Sequence, residues 1–311
     1  MAVETFHDQI SHNKRNSILL IGVFMLLFIG IGMLIGMVWG DGDMAFGIIV
    51  AVIAGIIAFV LTLFSFYGGS GALLALSKAR EITHNDDPKL FNVVEELTIA
   101  GGLPMPRIFV IDDTAMNAFA TGRDPAHAAV AITKGLRAKL NRDELQGVMA
   151  HELSHVRHYD IRYAMLMAVM VGVLVILCDV FLRSMWFGGG RRSSRDREKG
   201  GGGAQIILLV VALVLAIIAP ILAKIIQMSL SRQREYLADA GAVELTRNPR
   251  GLASALAKLS GDTEVLEVAN RATAPLYIVH PIKKFEARAK SVFSTHPPTK
   301  DRIKRLMALA N

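Results

Sequence analysis

The chain has 311 residues, of which 52% are hydrophobic and only 20% charged, a balance that points to a membrane protein with a modest water-facing part. Its single cysteine, Cys178, excludes an intramolecular disulfide and a cysteine-built metal cluster. The net charge of +7 comes without a recognisable nucleic-acid motif, so it reads as basic residues gathered on the cytoplasmic side of a bilayer rather than as a nucleic-acid surface.

The first apolar run, Ser17 to Trp39, carries no charge and is long enough to cross roughly 30 Å of hydrocarbon. His12, Lys14 and Arg15 precede it, yet the run is too long for the core of a cleavable signal and lacks a small-x-small exit. A second run, Ala45 to Tyr67, follows an acidic turn containing Asp41 and Asp43, and Lys78 and Arg80 come soon after it. Positive charge at both distal ends and acid between them places the N-terminus and the residues beyond 78 in the cytoplasm. Residues 1–77 are therefore expected to form a transmembrane hairpin with spans at about 17–39 and 45–67.

Residues 78–162 read as the first part of a soluble domain. "PRIFVIDD" and "HAAVAIT" are rich in apolar and β-branched residues and predict short strands, with "NAFATGRDP" and its turn residues Gly122 and Pro125 between them. Asn141 followed by Glu144 is a capping-box pattern and starts a helix whose apolar stripe is Leu145, Val148, Met149 and Leu153. On that helix "HELSH" sets His151 and His155 one turn apart on one face. Two imidazole nitrogens so placed reach a single zinc at about 2.0–2.1 Å, and Glu152 stands beside it to take a proton from metal-activated water. Chance alone puts this pattern in roughly one chain in a hundred of this make-up, so a third ligand has to decide. His158 lies too far along the same helix, at about 1.5 Å rise per residue, and reads as a helix-end histidine beside the C-terminal dipole.

Two more apolar runs follow, Tyr163 to Leu182 and Ala204 to Ala223, each about the minimum length for a span. They define a second hydrophobic hairpin, 163–227, around a glycine-bracketed loop at 188–203 that holds five basic residues and two acidic ones. A fully inserted hairpin puts that basic loop on the non-cytoplasmic side against the usual charge bias; a partly inserted one keeps it inside. Both versions return residues 162 and 228 to the same side. In the remaining stretch, 228–311, "SRQREYLADAGAVELT" predicts a helix with Glu235 and Asp239 on one face. They form either a solvated surface with Arg232, Arg234 and Arg247, or a third zinc ligand with a carboxylate that holds a zinc-bound histidine through its other ring nitrogen.

With "NAFATG" at 117–122, "HELSH" at 151–155, "EYLADAGA" at 235–242, "STHPPTKDRIKRL" at 294–306 and two pairs of apolar runs, the chain resembles the HtpX-type family of membrane zinc metalloproteases, gluzincins related to the CAAX prenyl endopeptidases. The resemblance covers essentially the whole chain. It implies a mainly α integral membrane protein with four predicted transmembrane helices and a gluzincin-like zinc metalloprotease domain carrying a small β-sheet. It implies residence in the bacterial inner membrane, a catalytic domain facing the cytoplasm, and membrane-protein or unfolded polypeptide substrates degraded in envelope quality control. One zinc per chain is expected, with His151, His155 and Glu235 as ligands, Glu152 as general base and Asp239 behind the ligands. The resemblance places Asn117 beside the cleft, where it hydrogen-bonds a substrate strand or merely belongs to a self-stabilised hairpin. His296 either orients the site or donates to the tetrahedral oxyanion, or else sits in a loop that opens a last helix capped by Thr299. His7, His12, His84, His127 and His280 have no paired ligand at useful spacing and read as structural.

Two rivals follow from the same residues: a processing protease of prenyl-peptide type, and a catalytically silent membrane scaffold or chaperone with structural zinc. A purely structural site has no need of Glu152, which counts against the second. Oligomeric state is not written in the sequence. The topology has a direct test: Ser193→Cys, in a Cys178→Ser background, is expected to react with a membrane-impermeant thiol reagent on intact cells while Ser254→Cys stays protected. Protection at both positions would contradict four spans and leave the second hairpin on the cytoplasmic leaflet.

Overall fold

The computed structural model of the chain describes residues 6–170, 172–173, 232–262, 264, 266, 277–278 and 297–310. It opens with two long helices, α1 (Phe6–Trp39) and α2 (Met44–Leu76), both long and apolar enough to cross a membrane. Asp43 ends the tight turn between them and caps α2 by accepting from Ala45 N at 2.9 Å. Ile18, Leu26, Ile53, Ile56 and Phe59 stand exposed along the pair, an apolar surface suited to hydrocarbon rather than water. Each helix outruns its apolar run. The end of α2 is anchored because Leu73 packs with Leu20 and Tyr163, and Leu74 with Phe109, Ile111 and Tyr277.

A four-stranded mixed sheet follows, made of β1 (Ala79–Glu81), β2 (Arg107–Ile111), β3 (Ala118–Gly122) and β4 (Ala128–Thr133) in the order β1-β2-β4-β3. Parallel β2 and β4 match the two predicted strands, with Ile108 opposite Val130. β3 lies inside the stretch expected to connect them; its alanines pair antiparallel with β4, as Ala120 does with Val130. It is a strand through its neighbours rather than its propensity. Helix α3 (Pro88–Gly101) starts at Asp87, which accepts from Leu90 N at 3.0 Å, and stops at Gly102 with φ 61°.

After the short α4 (Lys134–Lys139) comes α5 (Arg142–Arg157), the zinc-motif helix. Its predicted capping box is present: Glu144 N donates to Asn141 Oδ1 and Asn141 N to Glu144 Oε2, both at 2.9 Å. Leu145, Val148, Met149 and Leu153 are buried as the stripe requires. α5 packs against α3 and β3, and also against α6 (Arg232–Thr246) and α7 (Pro249–Gly261). Both of the latter contacts need glycine. A Cβ on Gly241 would lie 2.1 Å from Ser154 Oγ, and one on Gly147 would lie 2.6 Å from Leu252 N. These close approaches bring the face of α6 carrying Glu235 and Asp239 down onto α5.

The last helix, α8 (Thr299–Ala308), packs on α7 and corrects one expectation. Thr299 is its first helical residue, not its cap; Pro298 holds the cap position and no side chain bonds there. The first turn is closed instead by Asp301 N donating to Pro298 O at 2.8 Å. The architecture is thus mainly helical with a small mixed sheet. Most of Tyr163–Leu182, all of Ala204–Ala223, the loop 188–203 and His296 lie outside the described residues; 163–170 and 172–173 are helical.

Candidate metal centre

One turn of α5 separates His151 from His155, and their rings stand nearly perpendicular with centroids 4.7 Å apart. The two Nε2 atoms face each other at 3.2 Å. Glu235, from α6, places Oε2 3.7 Å from His151 Nε2 and Oε1 3.7 Å from His155 Nε2. Donor atoms of all three residues lie within 4.8 Å of one another. Tetrahedral zinc with bonds of about 2.0–2.1 Å sets its ligand atoms about 3.3 Å apart. Two imidazole nitrogens and one carboxylate therefore fit that ion in spacing and in chemistry, with a fourth position left for solvent or substrate.

Each ring is held from behind. His151 Nδ1 lies 3.1 Å from Asp239 Oδ1, and His155 Nδ1 lies 3.0 Å from Asp160 Oδ2. A proton on Nδ1 shared with a carboxylate leaves the Nε2 lone pair pointing at the common centre. Arg302, 2% exposed, ties the second carboxylate layer together. It donates to Asp239 from Nε at 2.9 Å and from Nη2 at 2.6 Å, and its Nη1 lies 3.2 Å from Glu235 Oε2.

Burial dominates the electrostatics. It pushes the Glu152 carboxyl up to about 7, with help from Glu235, although His155, Arg302 and the Ala120 N–H favour its charge. Burial likewise lowers His151, and Arg302 adds to this. His155 moves the other way, up to about 9: burial opposes its charge, but Asp160, Glu235 and Glu152 together outweigh it. Burial also opposes the charge of Asp239, yet Arg302 and the hydrogen bonds from His151 and Arg302 hold it below its ordinary range. Among the described residues the two rings are thus set among four carboxylates, Glu152, Asp160, Glu235 and Asp239. The guanidiniums of Arg302 and Arg234 adjoin them, the latter 3.9 Å from Asp160. Carboxylates that outnumber the guanidiniums two to one suit a divalent cation, which would displace the His155 proton.

His158 corrects a second expectation. It does cap α5, but it is buried and pushed down to about 4 chiefly by that burial, so it is neutral and cannot act as a cation at the helix dipole. Its ring packs instead beside Ser154, whose Oγ is 3.4 Å from Nδ1.

Asn117 lies at the head of β3, buried, with its Oδ1 accepting from Ala118 N at 3.1 Å. The outer edge of β3 runs past the centre: Ala118 O accepts from Ile278 N at 3.1 Å, and the Ala120 N–H reaches Glu152. Of the residues singled out from sequence, His151, Glu152, His155, Glu235 and Asp239 come together here, and His296 is outside the described residues. Two members of the cluster were given no role from sequence, although Arg302 lies within the segment 294–306. Asp160 follows the end of α5, where helical spacing no longer applies, and Arg302 sits in a helix with Lys300, Lys304 and Arg305.

Residues 84–310 match Peptidase family M48. The Protease HtpX homolog of Streptococcus mutans serotype c is 45% identical over 302 residues, covering 96% of this chain and 98% of that protein. The chain belongs to peptidase family M48. Further relatives are the Protease HtpX homologs of Ligilactobacillus salivarius, 44% identical over 300 residues (96% of this chain, 98% of that one), and of Dictyoglomus thermophilum, 45% over 302 residues (97% and 94%). A similarity to the crystal structure of S. mikatae Ste24p has a TM-score of 0.46 at 21% identity; it covers 92% of this chain and 62% of that one, under two thirds of its length. This M48 peptidase is a membrane metalloprotease, as its relatives' names, its family and its two long apolar helices indicate.

Arg302 generates a prediction specific to this arrangement. In Arg302→Met the buried Asp239 loses its guanidinium, and breaking a buried pair costs about 3–5 kcal/mol. The metal-stripped variant is expected to melt well below stripped wild type, with the gap narrowing when zinc is added, since a cation replaces part of the lost charge. Equal melting temperatures of the stripped proteins would contradict the role assigned to Arg302.

Proposed function

We propose that this M48 peptidase is a zinc endopeptidase of the bacterial inner membrane, with four spans and a cytoplasmic catalytic face, that degrades misfolded or damaged membrane proteins. The observation that carries the reading is Glu152, buried beside a three-donor cluster of zinc spacing and held at about 7. In this reading His151, His155 and Glu235 hold the zinc, and Asp239 and Asp160 fix the two imidazoles in the tautomer that ligates. Zinc bound there would supply Lewis acidity toward water and the scissile carbonyl.

The remaining work belongs to the chain. A carboxyl group beside the three donors is placed both to take a proton from the attacking water and to release it to the leaving amine, and Glu152, raised by burial, is that group. The Ala120 N–H steadies the carboxylate. An extended substrate pairing along β3 would pass directly beside this base once it displaced the Ile278 N–H from Ala118 O, and main-chain pairing gives affinity without strict sequence demands. Asn117 would join that pairing by donating from its amide nitrogen while its Oδ1 keeps the Ala118 N–H. Broad pairing of this kind agrees with damaged membrane proteins as substrates.

Zinc content and casein cleavage, measured side by side on detergent-purified proteins, test the roles. Glu152→Ala is expected to lose at least about 10²-fold in cleavage while keeping near one zinc per chain, because a base is removed and no ligand is. Glu235→Ala is expected to lose zinc under mild chelation as well as activity. Wild-type cleavage by Glu152→Ala, or full zinc retention by Glu235→Ala, would overturn the assigned role.

A further inference from the structure

The first membrane helix reaches the metal centre. Asn13 lies on α1 one turn before the uncharged run and is 1% exposed. Its Nδ2 donates to Asp160 Oδ1 at 2.6 Å and to the carbonyl of His158 at 2.9 Å. Two acceptors on one side fix the orientation of the amide, because only the nitrogen can donate. The carboxylate it meets is the one whose other oxygen lies 3.0 Å from His155 Nδ1. The chain of contacts thus runs from α1 through Asp160 to a ring nitrogen of the zinc-motif helix.

The turn that presents Asp160 is under tension and is clamped from the same side. Tyr159, with φ 62°, occupies the left-handed region, which a bulky residue adopts only when its surroundings impose it. Lys14, next to Asn13 on α1, sets its ammonium 4.4 Å above the Tyr159 ring, and Arg162 sets its guanidinium 4.9 Å from the same ring. Apolar packing alone would dock α1. A buried amide aimed at a carboxylate already engaged with His155 does something more specific.

We propose that Asn13 is a positioning residue for the metal site: it holds the Asp160 carboxylate against His155, so that full metal affinity requires the first membrane helix to be seated. The inference rests on the reading of His155 as a zinc ligand. A hydrogen-bonded partner behind a ligating histidine is worth roughly 10–100-fold in affinity. Asn13 acts at one further remove, and its share is that of one hydrogen bond, roughly 3–10-fold.

The test is zinc affinity of the full detergent-purified chain, by competition with a chromophoric chelator, together with the visible spectrum after cobalt(II) substitution. Expected are a roughly 10–100-fold loss for Asp160→Asn and a roughly 3–10-fold loss for Asn13→Leu. The double variant should be no weaker than Asp160→Asn, since Asn13 works through that carboxylate. The cobalt spectrum should shift in both single variants and stay put in Asn16→Ala, a buried neighbour on α1 that serves as packing control. If Asn13→Leu does not yield a monodisperse protein, Asn13→Ala takes its place with the same expectation. Wild-type affinity in the Asn13 variant, losses that multiply in the double variant, or an equal loss in Asn16→Ala would overturn the proposal while Asp160→Asn still weakens binding. No loss in Asp160→Asn would instead remove His155's partner and the ligand reading with it.

Discussion

Two imidazoles whose Nε2 atoms face each other at 3.2 Å inside a protein must hold a proton or a metal cation between them, because two bare lone pairs cannot satisfy one another. Here each ring is bound from behind by a carboxylate, Asp239 for His151 and Asp160 for His155, which fixes both rings with Nε2 turned toward the common centre. A divalent cation can take the place of that proton. The rest of the site is arranged to bear its consequences: Glu235 supplies the third donor, and Arg302 answers the carboxylates that would otherwise be stacked together in a dry interior.

The fold serves this arrangement through close approach rather than through long reach. α6 brings Glu235 and Asp239 to the centre on successive turns, and the absence of a side chain at Gly241 lets its backbone settle onto Ser154 of α5. Gly147 does the same for α7 on the neighbouring face. β3 closes the near side, with Ala120 touching Glu152 and Phe119 stacked edge-on against Tyr277. Burial on every side is what raises Glu152 above the ordinary carboxylate range. Distances, burial and charge therefore trace to one packing decision, that α5 lies at the centre of the domain.

Much of this was legible before the structure, and the boundary has a physical reason. Local signals worked where they act locally. The capping box at Asn141 and Glu144, the apolar stripe of α5, the i, i+4 pairs on α5 and α6, and the two long apolar helices are properties of single segments. α3 was not read from the sequence, although Asp87, Pro88 and Gly102 are ordinary start and stop signals for it. What could not be read were relations made only by folding. β3 is an alanine-rich strand made by pairing with β4. Asp160 reaches His155 only because Tyr159 turns the chain through the left-handed region. His158, placed correctly at a helix end, has its charge removed chiefly by burial, which comes only with folding. Arg302 looks like any basic residue of an amphipathic helix until Asp239, 63 residues away, is found against it.

The membrane helices belong to the same account. α2 runs on past its apolar run and buries Leu74 beneath the sheet, and α1 places Asn13 on the turn that follows α5. Anchor and catalytic domain therefore share side chains. The central claim, that His151, His155 and Glu235 converge on one zinc, is tested most directly by zinc K-edge X-ray absorption on the detergent-purified chain. The account predicts a shell of about four nitrogen and oxygen atoms at about 2.0–2.1 Å with the multiple-scattering signature of two imidazoles. A third imidazole, a sulfur at about 2.3 Å, or a six-oxygen shell would contradict it.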